Sequence, residues 1–113
     1  MRLTSQIWVS AFMRSQTGDG AYATVVRRGA AEAGAVFIAH NRLDATYSVY
    51  APAPQSAFDA GEATERRFER VAEAIGEEEM RRYLDRQVDF DPDCWIVEIE
   101  RRDPPPFLTV VEP

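Results

Sequence analysis

The sequence predicts an α+β fold: one compact domain over residues 1–113, with a mainly antiparallel sheet of about five short strands covered on one face by about three helices. Three observations predict it. The central run from Ala21 to Ala51 reads as a meander of three short strands joined by two tight connections. Residues 60–87 then carry apolar positions at three- and four-residue spacing, interrupted once by Gly76. Finally, 113 residues with 45% hydrophobic and 28% charged side chains suit a single domain that buries a core without staples.

Residues 4–15 place Leu3, Ile7, Trp8, Ala11 and Phe12 on one helical stripe. Thr4 or Ser5 supplies the N-cap, and Thr17-Gly18-Asp19-Gly20 supplies the stop. Ile7-Trp8-Val9 would also suit a strand, but the stripe and its punctuation favour a helix with Trp8 as a core anchor. The first strand runs from about Ala21 to Arg28. Alternation sends Arg27 and Arg28 to opposite faces, which argues against a joint arginine clamp. Gly29 to Gly34 connects it to a second strand, Ala35 to about Asn41, with Gly34 free to adopt positive φ. The run Val36-Phe37-Ile38 predicts burial on both faces. After the turn Asn41–Asp44, Thr46 to Tyr50 forms the third strand, rich in β-branched and aromatic residues.

Pro52-Ala53-Pro54-Gln55 breaks the sheet. Asp59 with Glu62 then opens a helix over about 60–75, whose buried stripe is Phe68, Val71, Ala72 and Ile75, and Gly76 closes it at C′. The next helix runs from Glu77 to about Gln87. Its three leading glutamates favour the N-terminal dipole and pair with Arg81 and Arg82 one turn on, so they need no cation. Met80, Tyr83, Leu84 and Val88 form its apolar stripe. After the turn Asp89–Asp93, Cys94 to Glu100 is a strand with Trp95, Val97 and Ile99 on the buried face. Arg101–Pro106 leads to a final edge strand over Phe107–Val111.

All thirteen basic residues are arginine, yet sixteen alanines point to GC-rich codon usage rather than to one anion site. Charge is unevenly placed. Residues 1–58 carry five Arg against three acids, while residues 59–100 carry six Arg against fourteen acids. The acidic second half argues against wrapping a phosphate backbone. One cysteine excludes an internal disulfide and any multi-cysteine zinc site. The N-terminal apolar run is too short for a membrane span and lacks a cleavage site, so the expected location is cytoplasmic with no membrane partner.

The segments WVSAFMR, ATVVRRGAAEAGAVFI, YAPAP and FDPDCWIVEIE, in this order across nearly the whole chain, resemble a small bacterial family classed as domain of unknown function 1491. The resemblance implies a single-domain α+β protein from a bacterium and carries no activity to any position. Family members commonly have Asp after the RRG segment, where this chain has Ala30.

No candidate site converges on catalysis. Asp89, Asp91, Asp93 and Glu100 match positions one, three, five and twelve of a calcium loop, but Cys94 stands where the sharp turn needs Gly. Positions seven to eleven of that loop alternate as a strand does. His40 is the only histidine, expected to be partly exposed at a strand end, and Cys94 alternates with buried Trp95 as a packing residue. No metal and no cofactor are implied. The leading expectation is a non-enzymatic binding or protein-interaction module, with a protein partner or a homodimer through an exposed sheet edge. Its candidate binding residues are Arg27, Arg28, Asp91, Asp93 and Trp95. Two alternatives stand beside it: an enzyme with an acidic, divalent-metal-dependent site at Asp89, Asp91 and Asp93, and a nucleic-acid accessory protein using Arg27, Arg28 and Arg42.

Overall fold

The computed structural model describes residues 3–54 and 66–112. Helix α1 (Ser5–Gly18) is followed by strands β1 (Tyr22–Arg27), β2 (Val36–Asn41), β3 (Tyr47–Pro52) and β4 (Phe68–Ile75). Helix α2 (Glu77–Phe90) and strand β5 (Trp95–Glu100) complete the elements. One five-stranded sheet has the order β1-β5-β2-β3-β4.

The sheet is mixed, which corrects the antiparallel expectation. β5 enters between β1 and β2, antiparallel to β1 but parallel to β2, with Val36 opposite Trp95 and Ile38 opposite Val97. β1 and β2 are therefore not neighbours, and the meander is β2-β3-β4 rather than Ala21–Ala51. Since β4 and β5 run the same way, the chain between them needs a crossover, and α2 supplies it. The continuous apolar run Trp95-Ile96-Val97 marks such a central strand, buried on both faces.

Two helices among the described residues replace the expected three, and they lie on opposite faces. α1 packs Val9 and Phe12 onto Val36, Ile38, Trp95, Val97 and Ile99, while α2 packs Met80 and Leu84 onto Phe37, Ala39, Cys94 and Ile96. Alternation on a doubly buried strand makes a one-sided cover impossible, because each face needs its own lid. α1 is rotated from the predicted stripe: Val9 is buried, whereas Leu3 and Ile7 are exposed. Trp8 stacks on Phe12 at 4.9 Å and meets Phe68 at 5.3 Å. Thr4 is the N-cap, its hydroxyl accepting from the Ile7 amide.

Residues 68–75 form a strand, which corrects the helix expected over about 60–75; its first part lies outside the described residues. The misreading has a physical cause. β4 spends eight residues opposite the six of β3, and the register slips once between Val49 and Tyr50 and again between Tyr47 and Val49. Each extra residue flips the alternation, so Phe68 faces the α1 core while Ala72 and Ile75 face the α2 core. Inward positions four and three apart then imitate a helix. Ala74 sits at φ 56 in the second bulge.

Gly76 therefore separates a strand from a helix. Its φ is −74 and it is the N-cap of α2, with open space where a Cβ would be, so it is no left-handed C′ residue. Residues 107–111 form only a single parallel bridge, Phe68 with Val110, in place of an edge strand. Arg81 and Arg82 hold Glu77 and Glu78 at 2.7 and 3.0 Å, as the spacing predicts.

Candidate functional site

The sequence-predicted site residues meet at one corner, where β1 ends and β5 begins. The Trp95 indole is buried at 1% exposure, and its Nε1 donates to the Ala30 carbonyl at 2.8 Å. The Arg28 guanidinium lies 5.3 Å over the Trp95 ring, and Arg27 Nη2 donates to the Pro92 carbonyl at 2.7 Å. Asp91 Oδ1 accepts from the Asp93 amide at 3.1 Å, closing an Asx turn. The Asp93 carbonyl accepts from the Ala30 amide at 2.9 Å. Both Gly29 and Gly34 pass so close to the Asp93 backbone that a Cβ on either would collide with its carbonyl oxygen. Close approach, rather than positive φ, is what Gly34 provides.

This corner also holds the start of α1. The Ser5 and Gln6 amides donate to the Glu32 and Ala31 carbonyls at 3.1 and 3.0 Å, and the Ser5 hydroxyl donates to the Gly34 carbonyl. The free N–H groups of the first helical turn thus find partners in the loop. The five candidate residues are bound into a joint between loop 29–34, α1 and β5. Among the described residues, no group of three His, Cys, Asp or Glu side chains could hold a metal ion.

A cleft on the other face has a different character. Between α2 and the sheet lies a cavity of about 120 Å³ with an apolar floor of Ala39, Ile96, Met80 and Leu84. Val26 of β1 forms its outer lip, and Arg81, Asp85 and Glu98 are its charged members. Alternation along β5 turns Cys94, Ile96 and Glu98 towards α2. Burial pushes the Glu98 carboxyl above its ordinary range; hydrogen bonding from Asn41 opposes that shift, nearby Glu100 adds to it, and Arg81 opposes it. Tyr47, beside this group, is pushed up by burial and by the charges of Glu98 and Glu77. Cys94 beneath them is fully buried, and burial raises its thiol pKa as well. An apolar recess with a few convergent polar groups and a perturbed carboxyl is the usual form of a binding site.

Sequence reasoning missed Glu98, Arg81, Asp85 and Val26. A signal was present in the strand Trp-Ile-Val-Glu-Ile-Glu: once both its faces are buried, Glu98 is an inward charge and asks for a partner.

β1 borders this cleft as a free edge. No other described strand pairs with its outer side, and Tyr22 and Val26 are exposed at 68% and 57%. Among the described residues, no helix is long and apolar enough to cross a membrane.

A mixed five-stranded sheet with one helix per face, locked by the glycine joint at Asp93, is the class of protein that these elements define. The chain belongs to the DUF1491 family, described as "Protein of unknown function (DUF1491)", whose model matches residues 3–109. It is similar to protein Atu0922 from A. tumefaciens, known from a solution structure. The two share 39% identity with a TM-score of 0.86, covering 100% of this chain and 98% of the other. A DUF1491 family protein from Caulobacter crescentus CB15, in a crystal structure, is 32% identical with a TM-score of 0.79, covering 98% and 99%. An NMR structure of a DUF1491 family protein from the same organism gives 36% identity and a TM-score of 0.78, covering 98% of each chain. Among curated proteins, none matches the chain.

Proposed function

We propose that the protein is a non-enzymatic interaction module that pairs with a second copy of itself along β1. The observation that carries this reading is the open edge, where two exposed apolar side chains stand beside an apolar cleft. Exposed edges invite strand addition, because they present unpaired backbone donors and acceptors.

The self-complementarity of the strand selects the occupant. A two-fold axis at Thr24 places Tyr22 of each copy opposite Val26 of the other, an aromatic–β-branched pair on each side of a Thr–Thr pair. The bulge between Val25 and Arg27 bounds the paired ladder at its C-terminal end.

Sedimentation velocity over a concentration series tests this. A reversible dimer is expected, abolished by Val26→Lys and by Thr24→Pro with the melting temperature of the monomer retained in Val26→Lys. A monomer at every concentration, or a dimer indifferent to Val26→Lys, refutes the reading. The acidic-enzyme and nucleic-acid alternatives draw less from the geometry, since Asp91, Arg27 and Arg28 each have a partner within the fold.

A further inference from the structure

A third place in the molecule, used by neither the glycine joint nor the β1 edge, has the chemistry of an anion site. On the α1 face of the sheet, towards β4, lies a cavity of about 80 Å³. His40 of β2 and Ser48 of β3 are register partners in its wall, and so are Tyr50 of β3 and Arg70 of β4. Arg42 and Arg102 enter from the segments that follow β2 and β5.

Three features set this pocket apart from an ordinary polar surface. First, Ser48 and Tyr50 are each only 3% exposed, yet neither hydroxyl has a hydrogen-bond partner among the described residues. Their oxygens are not sealed from solvent, so both hydroxyls stay open to whatever occupies the cavity they line. Second, Arg42 and Arg102 have no acidic partner within ion-pair reach among the described residues. Arg70 shares Glu73 at 3.0 Å, and among the described residues that is the one carboxylate lining the cavity. The nearby Asp44 is turned to Thr46, whose amide and hydroxyl donate to it at 2.9 and 2.6 Å. The pocket is thus lined by three guanidiniums and one carboxylate. Third, His40 is 2% exposed, and its Nε2 donates to the Arg101 carbonyl at 2.8 Å. The carbonyl can only accept, so Nε2 carries the proton and the ring is held in one orientation.

We infer that this pocket binds a tetrahedral oxyanion, a phosphate or the phosphoryl group of a small phosphate monoester, between Arg42, Arg102 and the hydroxyls of Ser48 and Tyr50. Guanidiniums match such oxygens with paired N–H donors, and hydroxyls complete the shell of a partly desolvated anion. The size of the cavity suits one such group rather than an extended ligand.

The single histidine of the chain provides a specific probe. Inorganic phosphate is titrated into the full chain at constant pH and ionic strength, with the His40 ring signals followed by NMR and chloride as the reference salt. A second arm uses phenyl phosphate. A saturable His40 shift with one equivalent bound is expected, absent in chloride. It should weaken about tenfold or more in Arg42→Gln and in Arg102→Gln, with melting temperatures unchanged because neither side chain is buried or ion-paired among the described residues. Tighter binding of phenyl phosphate identifies the pocket as the phosphoryl subsite of a larger ligand; tighter binding of phosphate identifies a site for the free ion. No saturable shift with either probe, or binding unaltered in both arginine variants, overturns the inference.

Discussion

The two faces of the sheet are built from the same strands and do different work. On the α1 face, Trp95, Val97, Ile99, Val36, Ile38 and Phe68 close over Val9 and Phe12. The helix is also tied by side chains at both ends: the Ser5 hydroxyl donates to the Gly34 carbonyl, and Gln16 Nε2 donates to the Pro106 carbonyl at 2.7 Å. On the α2 face, only Met80 and Leu84 of the helix are buried, Phe90 at its end is 88% exposed, and a cleft containing Glu98 remains. α1 docks as a lid, whereas α2 is first of all the crossover that returns the chain from the end of β4 to the start of the parallel strand β5. Both faces keep a recess, the arginine-lined pocket towards β4 on the α1 face and the Glu98 cleft on the α2 face, but the second lies beside the open edge of β1.

The sharpest way to break that comparison is a matched pair of truncations. Trp95→Ala removes the largest fully buried side chain among the described residues and its bond to Ala30, and should cost roughly 3–5 kcal/mol. Leu84→Ala, beside a cleft that lets the site relax, should cost near ~2 kcal/mol, the lower end for such changes. Chemical denaturation of both variants measures the difference, and equal costs would show that the faces are energetically alike. A change in loop 29–34 sharpens the comparison next. Gly29→Ala drives a methyl group into the Asp93 and Cys94 backbone and should cost about 1–3 kcal/mol. Gly76→Ala, with open space around its Cβ, should change stability by less than ~0.5 kcal/mol. Thermal melts that rank Gly76→Ala as the worse of the two would remove the joint from the account.

The smallest effect expected is a difference in the response to acid. Burial lowers the pKa of His40 below 6.5, so the unfolded chain binds the proton better; the stability His40 contributes is present above pH 6.5 and lost as pH falls through its depressed value. Glu98 is displaced the other way. Its folded pKa lies above 4.5, so its contribution is present below that pH and lost as pH rises through the raised value. Acidification from neutrality should therefore weaken the α1 face through His40 and relieve the α2 face through Glu98. Melting curves between pH 7 and pH 4.5 should show Glu98→Gln more stable than the parent near neutrality, with that advantage shrinking in acid. His40→Gln should flatten the opposite slope. A Glu98→Gln variant less stable than the parent at pH 7 would mean that Arg81 and Asn41 outweigh burial.

The elements whose signals are local were legible in the chain. The N-cap Thr4, the stop at Gly18, the two-sided run Val36-Phe37-Ile38 and the alternation of Trp95, Val97 and Ile99 all appear where the residues predict them. So do the Glu77–Arg81 and Glu78–Arg82 pairs, because spacing along one helix is enough to specify them. β4 was not legible, since two bulges gave a strand the spacing of a helix. The candidate site was legible only in part. Trp95, Arg28 and Asp93 stood out as residues, but their joint depends on two glycines meeting a backbone more than fifty positions away. The cleft depends on β5 passing between β1 and β2, which turns Glu98 under α2. By itself, then, the sequence determined which segments are helix or strand wherever period, cap and turn agree within a dozen residues. Only the tertiary structure decided strand order, the parallel pairing, the placing of one helix on each face and the chemistry brought into each cavity. Those follow from contacts between distant segments, whose pairing is chosen by the burial of both faces of β2 and β5 at once.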